Sequence, residues 1–560
     1  MRLRPRRLLL PCLVLAVACS SDPGNDANGP VDLSSCIGAT IPIALAVGES
    51  RTIDVSHEGN CLHLPGAGTA QEYVVVAYSG FGISTNAGTT ASYALQSVVG
   101  SPSPAAKLAP TLAPPGGRLS APGTLSTPVQ FELTLRRAER ELAAGPLLRR
   151  GAISQPPSAP PALGDKDSFN VCANAGCSSF IRVGATVKYA GSPGVIYQDD
   201  HQISGAEQLD PADILQFGTL FDNYLYATDT TAFGRESDIN QDQHIAILMT
   251  PAVNNLTTNC TNGRIIGYTF SNDLIPGAPG SNAREMFYTI ATSPATAQCK
   301  AVTRASALGQ LPPTLIHEMQ HMISFNQHVL LRFGNDQDVW LNEGLSHFAE
   351  ELGWRTVPSS QCSDCFSTFA GGNVSNAYAY LNDTEGQFLI APEATDGTLA
   401  ERGAAWLFVR WVADHFSTDT LLGTQFTRAM EQTSVVGAAR IAQVTGVDFP
   451  VLVGQWQMTN WTDALPGFPQ DGLLIYRTWN FRDVFAANFP AVFSKVFPLT
   501  PDSTTGAYSH PGVLPAGSGR TVRYLLPAGS PGATIRMAGT TKGATLTPTI
   551  VPWLAVVRTK

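Results

Sequence analysis

The five residues from His317 to His321 constrain the fold of this chain more than any other feature. They read His-Glu-Met-Gln-His, so two imidazoles stand four positions apart. A helix places such side chains on one face, one turn apart, where both can reach one metal ion at about 2.0–2.1 Å. Apolar residues surround the motif, and Pro312 and Pro313 precede it, which predicts the start of a buried helix just before the motif. Two ordinary core histidines would give the same short pattern.

A second helix pattern follows and favours a metal site. Its apolar stripe consists of Leu341, Leu345, Phe348 and Leu352. Beside the stripe, Glu343, His347 and Glu350 recur at helical spacing and form a polar edge. Charged side chains at the edge of a buried helix cost free energy unless they are paired or bind a metal. Two imidazoles and one carboxylate form the ligand set of a catalytic zinc site, which predicts His317, His321 and Glu343 as ligands.

These segments resemble the gluzincin metallopeptidases, in which the third ligand is a Glu on the helix after the His-Glu-x-x-His helix. The string from Trp340 to Gly344 is similar to that of zinc aminopeptidases and their relatives. Together with His317 to Ile323 and Trp406 to Trp411, it looks most like the hyicolysin-type bacterial peptidases. The likeness extends from about Phe169 to Trp461. It implies a zincin-like α+β domain and a zinc metallopeptidase.

The resemblance also implies a role for each motif residue. His317, His321 and Glu343 would bind Zn²⁺, which lowers the pKa of its water to about 7, and Glu318 would take the proton as general base. The resulting hydroxide attacks a peptide carbonyl, so the substrate is a protein or peptide and the activity is that of a metalloendopeptidase. The alternative is a non-catalytic surface lipoprotein that uses a peptidase-like fold for adhesion or zinc binding. Glu318 favours the enzyme, because a structural zinc site needs no base beside it.

Further side chains are expected to support the site. Thermolysin-like enzymes carry an Asp four residues after the ligand Glu, whereas this chain has His347 there. Glu350 is expected to accept the free ring N–H of a zinc-bound histidine, with His347 as the alternative supporting residue. Such sites also need a donor for the tetrahedral oxyanion, usually Tyr or His. The candidates are Tyr288, Tyr378, Tyr380 and His415, of which we favour Tyr380.

A short acidic segment is a candidate calcium site. Asp238, Asn240 and Asp242 space three oxygen ligands as calcium loops do. However, Gln243 replaces the turn glycine of an EF-hand, and no Glu follows at the last loop position. The segment is therefore either a Ca²⁺ site or a plain polar turn before the strand that starts at Ile245.

The first eighteen residues predict export. A basic stretch from Arg2 to Arg7 precedes eleven apolar residues, Leu8 to Ala18. A bilayer needs about 20 such residues, so the stretch predicts a signal peptide. It resembles a bacterial lipoprotein signal, in which Cys19 would carry the lipid and residues 19–35 would form a tether. This implies a lipid-anchored protein of the bacterial cell envelope, or a secreted protein if the cut is an ordinary one.

The remaining cysteines agree with export. Besides Cys12 and Cys19 there are eight, which fall into four neighbouring couples: Cys36 and Cys61, Cys172 and Cys177, Cys260 and Cys299, Cys362 and Cys365. Sequential pairing into disulfides is the economical prediction, although sequence alone allows many connectivities. A zinc ribbon built from the second and fourth couples is the competing interpretation, and an oxidising compartment disfavours it.

Composition divides the rest of the chain. Residues 36–135 predict a β-sandwich and residues 136–168 a helix with a proline-rich linker. Residues 169–479 predict the α+β metallopeptidase domain and residues 480–560 a C-terminal β-domain. A net charge of −9 excludes the basic face that nucleic-acid binding requires. The sequence contains neither a Gly-x-Ser-x-Gly motif nor a phosphate loop, which argues against the commonest serine hydrolases and nucleotide-binding proteins.

Overall fold

The computed structural model describes residues 36–84, 89–100, 126–145, 148, 155–203, 205, 207–392 and 397–560. The predicted signal peptide and the tether with Cys19 lie outside these residues. No helix within them combines the length and the apolar character that crossing a bilayer requires. The described residues form a mixed α+β structure with three sheets, in agreement with the predicted α+β class.

The strands are β1 (Ile41–Pro42), β2 (Ser50–Asp54), β3 (Cys61–Leu64), β4 (Gln71–Ser79), β5 (Thr90–Val99), β6 (Lys166–Cys172), β7 (Phe180–Ala190), β8 (Gly194–Asp199), β9 (Ile245–Met249), β10 (Gly267–Thr269), β11 (Met286–Thr289), β12 (Asp502–Thr504), β13 (Tyr508–Pro515), β14 (Gly519–Leu526), β15 (Ala533–Ala538) and β16 (Pro552–Arg558). The α-helices are α1 (Thr127–Ala144), α2 (Pro211–Leu220), α3 (Tyr226–Ala232), α4 (Pro251–Leu256), α5 (Arg304–Phe325), α6 (Val339–Thr356), α7 (Gly371–Leu381), α8 (Leu399–Phe416), α9 (Thr424–Glu431), α10 (Gly437–Thr445), α11 (Phe449–Thr462) and α12 (Phe481–Ala487).

Strands from both ends of the chain build one β-sandwich. Its sheets have the orders β1-β3-β15-β5-β13 and β12-β14-β4-β16-β2. Strand β5 pairs with β13 and β15, and β4 pairs with β14 and β16. The predicted separation into an N-terminal and a C-terminal β-domain therefore differs from the observed sheets. Each segment shows the alternation typical of strands, but alternation does not reveal which distant strand is the pairing partner.

The central strand β4 joins the sandwich to the helical part. Its side chains Tyr73, Val75 and Ala77 belong to the core between the two sheets. The alternate residues Val74, Val76 and Tyr78 belong to the large core that continues into the helices. The Tyr78 hydroxyl donates to the Pro450 carbonyl at 2.9 Å, which ties the sheet to α11. Burial of both faces of β4 makes the sandwich and the helical region one packed body.

The third sheet positions the helices of the predicted site. Its order is β10-β11-β9-β8-β7-β6, with β8, β9 and β11 parallel and the other pairs antiparallel. The predicted buried strand from Ile245 to Met249 is confirmed as β9. Helix α5 packs against β10 at the edge of this sheet and against α6. The edge strand therefore lies beside the helix that carries the two spaced histidines.

Two helix boundaries differ from the predictions. Helix α1 starts at Thr127, with Pro128 in its first turn, so residues 127–135 belong to a helix rather than to the sandwich. Pro312 and Pro313 lie inside α5, which starts earlier because the Thr303 side chain accepts the Ser306 N–H. A proline is tolerated at a first turn but removes a hydrogen bond further along a helix. The helix therefore begins after the Thr303 N-cap and not at the prolines.

The structure joins the eight described cysteines in sequential pairs. The disulfides are Cys36–Cys61, Cys172–Cys177, Cys260–Cys299 and Cys362–Cys365. The zinc-ribbon alternative required the second and fourth couples to meet at one ion. Both couples instead form separate disulfides.

Candidate metal centre

Helices α5 and α6 bring His317, His321 and Glu343 together. The Nε2 atoms of the two histidines lie 3.1 Å apart. The carboxylate oxygens of Glu343 lie 3.9 Å from His317 Nε2 and 3.6 Å from His321 Nε2. All three side chains are buried. The helical spacing seen in the sequence thus places three donors around one point.

These three donors fit a zinc ion. Ligands at about 2.0–2.2 Å from a tetrahedral zinc lie about 3.3–3.6 Å from one another. The observed distances bracket that range. Glu343 Oε1 has no hydrogen-bond partner in the described part of the chain, whereas Oε2 lies 2.9 Å from Arg402 Nη1. Buried carboxylate oxygens without partners are costly unless a cation faces them. Within the described residues, a second group of potential ligands, His317, His347 and Glu350, shares one histidine with the first.

Each histidine of the centre has a hydrogen-bond partner on α6. Glu350 Oε1 lies 2.7 Å from His317 Nδ1, as the sequence predicts, and 3.1 Å from His347 Nδ1. Asn342 Oδ1 lies 3.2 Å from His321 Nδ1. An acceptor at Nδ1 fixes the tautomer and leaves Nε2 free to bind a metal. Sequence reasoning missed Asn342, although it directly precedes the predicted ligand Glu343.

The electrostatics of the two histidines differ. Burial lowers the pKa of His317, but the hydrogen bond and charge of Glu350 outweigh burial and raise that pKa to about 9. Burial raises the pKa of Glu350, whereas the charge of His347 and the bond from His317 bring it to about 2. Burial and the nearby Arg136 hold the pKa of His321 well below its ordinary value. The lowered pKa favours a neutral His321, whereas the raised pKa of His317 makes a metal compete with a proton there.

Arg402 keeps Glu343 ionised. Burial favours the neutral carboxylic acid, but the Arg402 charge outweighs burial and lowers the pKa of Glu343. Arg402 Nη1 lies 2.9 Å from Glu343 Oε2. The next residue, Gly403, packs so closely on Asn376 that an added Cβ would lie 2.3 Å from its backbone, which fixes α8 against α7. Arg402 stands far from the motifs along the chain, and no signal in the sequence pointed to it.

Glu318 faces a cavity of about 350 Å³ beside the three donors. His317, Glu350 and Arg402 line the same cavity. Burial and the negative charge of Glu132 raise the pKa of Glu318 to about 8. Its Oε2 atom has no hydrogen-bond partner among the described residues. A carboxylate with a pKa near neutral, open to a cavity, can accept and return a proton.

The predicted oxyanion donors lie elsewhere. Tyr380 is fully buried, stacks on Trp456 with ring centroids 5.5 Å apart, and accepts a hydrogen bond from Gln457 Nε2 at 3.0 Å. The other three candidates also have partners within the protein. Tyr288 donates a hydrogen bond to Asp273, and the Tyr378 hydroxyl accepts one from the Lys495 backbone N–H. The His415 ring contacts the Ile475 carbonyl. None of the four lines the cavity. Aromatic residues near a motif in sequence usually pack in a core, and these do.

The candidate calcium residues form a loop held by its own hydrogen bonds. The Asn240 amide donates to Asp242 at 2.7 Å, and Asp242 also accepts the backbone N–H of His244. Asp238 accepts the backbone N–H of Gln243. These hydrogen bonds hold the three side chains in one polar turn before β9.

No protein-family model matches the chain. Over 172 residues the chain is 29% identical to the neutral metalloprotease ShpI of Staphylococcus hyicus. That alignment covers 30% of this chain and 36% of the relative, so the chain spans about a third of the length of the relative it matches. The similarity and the two groups of His and Glu donors indicate a metallopeptidase relationship and a metal, for which zinc is the best candidate.

Proposed function

We propose that the chain is an exported zinc metalloendopeptidase. His317, His321 and Glu343 hold the zinc, and Glu318 acts as general base. The convergence of three buried donors beside a cavity-facing carboxylate is the observation that carries this proposal. The hyicolysin-type resemblance of the motifs agrees with it. The non-catalytic alternative gives no reason for Glu318 to face the cavity.

The proposed reaction uses few groups of the chain. When bound, a zinc ion supplies Lewis-acid chemistry, which polarises a peptide carbonyl and makes a water more acidic. Glu318 accepts the proton of the attacking water at its unpartnered Oε2 and returns it to the departing amine. Glu350 and Asn342 hold the rings of His317 and His321, while Arg402 holds Glu343.

The edge strand β10 offers a place for the substrate. Ile265, Ile266 and Gly267 line the cavity at its start. One side of β10 pairs with β11. The Thr269 hydroxyl donates to the Glu318 carbonyl at 2.7 Å, which fixes this strand relative to the base. A peptide that adds to an exposed sheet edge is held through its backbone, so we propose an extended segment of a protein or peptide as substrate.

Export is proposed from the leader and the disulfides. Four disulfides are typical of proteins that mature in an oxidising compartment. We propose that Cys19, which lies outside the described residues, anchors the protein in the cell envelope by a lipid, as the likeness of the leader to lipoprotein signals implies.

Glu318→Gln tests the enzymatic proposal. The variant keeps all three zinc donors and should bind stoichiometric zinc while losing about 10²–10⁴-fold in kcat/KM, the contribution of a general base. Zinc is measured by metal analysis, and turnover with an internally quenched peptide library. Glu141→Gln, on the exposed face of α1, is the matched control and should behave like the wild type. Zinc binding without cleavage of any library peptide by the wild type would favour the adhesion or zinc-binding alternative.

A further inference from the structure

Helix α1 lies across the cavity of the candidate metal centre. Pro128, Phe131 and Glu132 of α1 line the same cavity as His317 and Glu318. Phe131 and Glu132 are buried. The helix comes from a segment between β5 of the sandwich and β6 of the mixed sheet. Neither of the two sheets requires it for strand pairing.

Aromatic packing holds the first half of α1 beside the edge strand. The Phe131 ring meets Tyr268 of β10 edge to face, with centroids 5.1 Å apart. Pro128 lies against Gly263, where an added Cβ would approach it to 3.2 Å. The residues between Gly263 and Tyr268 include those that line the cavity. Helix α1 therefore covers the strand to which a substrate segment would add.

Buried charges hold the second half of α1. Arg136 is fully buried, with Nη1 at 2.7 Å from Glu139 and Nε at 3.5 Å from Glu132. The Ser271 hydroxyl donates to Glu139. Replacing buried ion pairs by apolar contacts is often neutral or stabilising, so charges of this kind are weak evidence for permanent packing. Within the described residues the Arg136 nitrogens form these ion pairs but no hydrogen bonds, and each charge regains water when the helix leaves.

We propose that α1 is an inhibitory segment that plugs the cleft and that substrate must displace. The inference rests on the proposed peptidase function. Because β1–β5 are hydrogen-bonded into the same two sheets as β12–β16, the chain before α1 stays bound to the molecule when α1 moves. The chain after α1 continues into β6 of the mixed sheet. The plug thus remains attached at both ends, and its action is reversible without cleavage.

A pair of neighbouring arginines tests the plug. Arg136 is buried, whereas its neighbour Arg137 is exposed on α1. Arg136→Ala should raise kcat/KM for a short quenched peptide about tenfold or more at saturating zinc. The substitution weakens the binding of α1 to the cleft, so a larger fraction of the molecules has an open cleft. Arg137→Ala should leave kcat/KM unchanged. A synthetic peptide of residues 127–144 should inhibit the Arg136→Ala variant, and the same peptide with alanine for Arg136 should not.

Hydrogen exchange provides a second test on the unaltered chain. A dipeptide hydroxamate that binds the zinc should remove exchange protection from the amides of α1, because an isolated helix of this length is marginal in water. Hydroxamate binding with α1 still protected would overturn the inference, as would an Arg136→Ala variant that is folded and no more active than the wild type. If the zinc-loaded protein neither binds hydroxamate nor cleaves peptides, the proposed function itself fails.

Discussion

Two buried pairings of histidine with carboxylate lie along α5 and its extension, and they differ in what surrounds them. The candidate metal centre brings together His317, His321 and Glu343. The closed pair consists of His328 and Glu431, whose side chains are fully buried with Nε2 and Oε2 3.1 Å apart. Glu431 also accepts the Gln320 amide at 3.0 Å, and His328 contacts Gln337.

The difference lies in the third donor and in access. In the part of the chain that the structure describes, His328 and Glu431 belong to no group of three potential ligands. The candidate metal centre has a third donor and a cavity beside it. Residue types are the same at both places. What distinguishes the candidate metal site is therefore a third donor near the same point and a cavity beside it.

The largest effect should come from exchanging the two carboxylates for amides. Glu343→Gln removes a proposed zinc ligand. Loss of a hydrogen-bond partner behind a ligand lowers metal affinity by about 10–100-fold, and we expect a larger loss of zinc affinity here. Glu431→Gln should reduce zinc affinity far less, because Glu431 contacts none of the three donors and reaches them only through Gln320. It should lower the melting temperature, because it leaves His328 without its charged partner. Competition with a chromophoric chelator and thermal unfolding measure the two effects. Equal losses of zinc in both variants would remove the proposed distinction.

The sequence reveals this distinction only in part. The i, i+4 spacing on α5 and the apolar stripe on α6 were enough to predict the three donors and the contact of Glu350 with a histidine. Both predictions depend on helical periodicity, which is local. Arg402 and Pro128 reach the site from distant helices, and β4 and β14 pair across most of the chain. Contacts of that kind follow from tertiary packing and leave no periodic signal.

Tyr380 is a residue that the sequence places at the site and the structure places in the core. From the sequence we favour it as the oxyanion donor, yet its ring fills the core against Trp456. A large aromatic side chain gains more from burial than from a rim position unless the fold holds it there. The chemical type of a side chain alone is therefore not enough to identify an oxyanion donor, because it does not show whether the side chain lies at the site or in the core.

Glu350→Gln should have the next largest effect, and its size should depend on pH. Zinc competes with the proton of His317, whose pKa is about 9, so wild-type zinc affinity should rise with pH up to about 9. The variant loses the carboxylate that raises this pKa, so its affinity should level off at a lower pH. We expect a loss of about 10–100-fold at pH 9 and a smaller one at pH 6.

The metal-free protein gives a matched stability test. The raised pKa of His317 contributes stability that is complete below its ordinary value of 6.5 and is lost as pH rises through about 9. The lowered pKa of Glu350 contributes stability that is present above its ordinary value of 4.5 and is lost as pH falls through about 2. The melting temperatures of wild type and Glu350→Gln should therefore differ most between pH 4.5 and 6.5. A difference that does not change with pH would mean that Glu350 acts by shape alone.

The smallest effect should come from Asn342→Ala, which removes the partner of the other histidine. Asn342 is a neutral acceptor at 3.2 Å, whereas Glu350 is charged and lies at 2.7 Å from its ring. A neutral hydrogen bond contributes about 1 kcal/mol, so zinc affinity should fall less than about tenfold. The Ser346 hydroxyl, also 3.2 Å from His321 Nδ1, can replace part of the contact, and the double variant Asn342→Ala/Ser346→Ala should lose more than the two single losses together. Because Asn342 carries no charge, the pH profile of zinc binding should keep its shape. A shifted profile, or a loss larger than that of Glu350→Gln, would show that His321 rather than His317 is the ligand whose orientation limits binding.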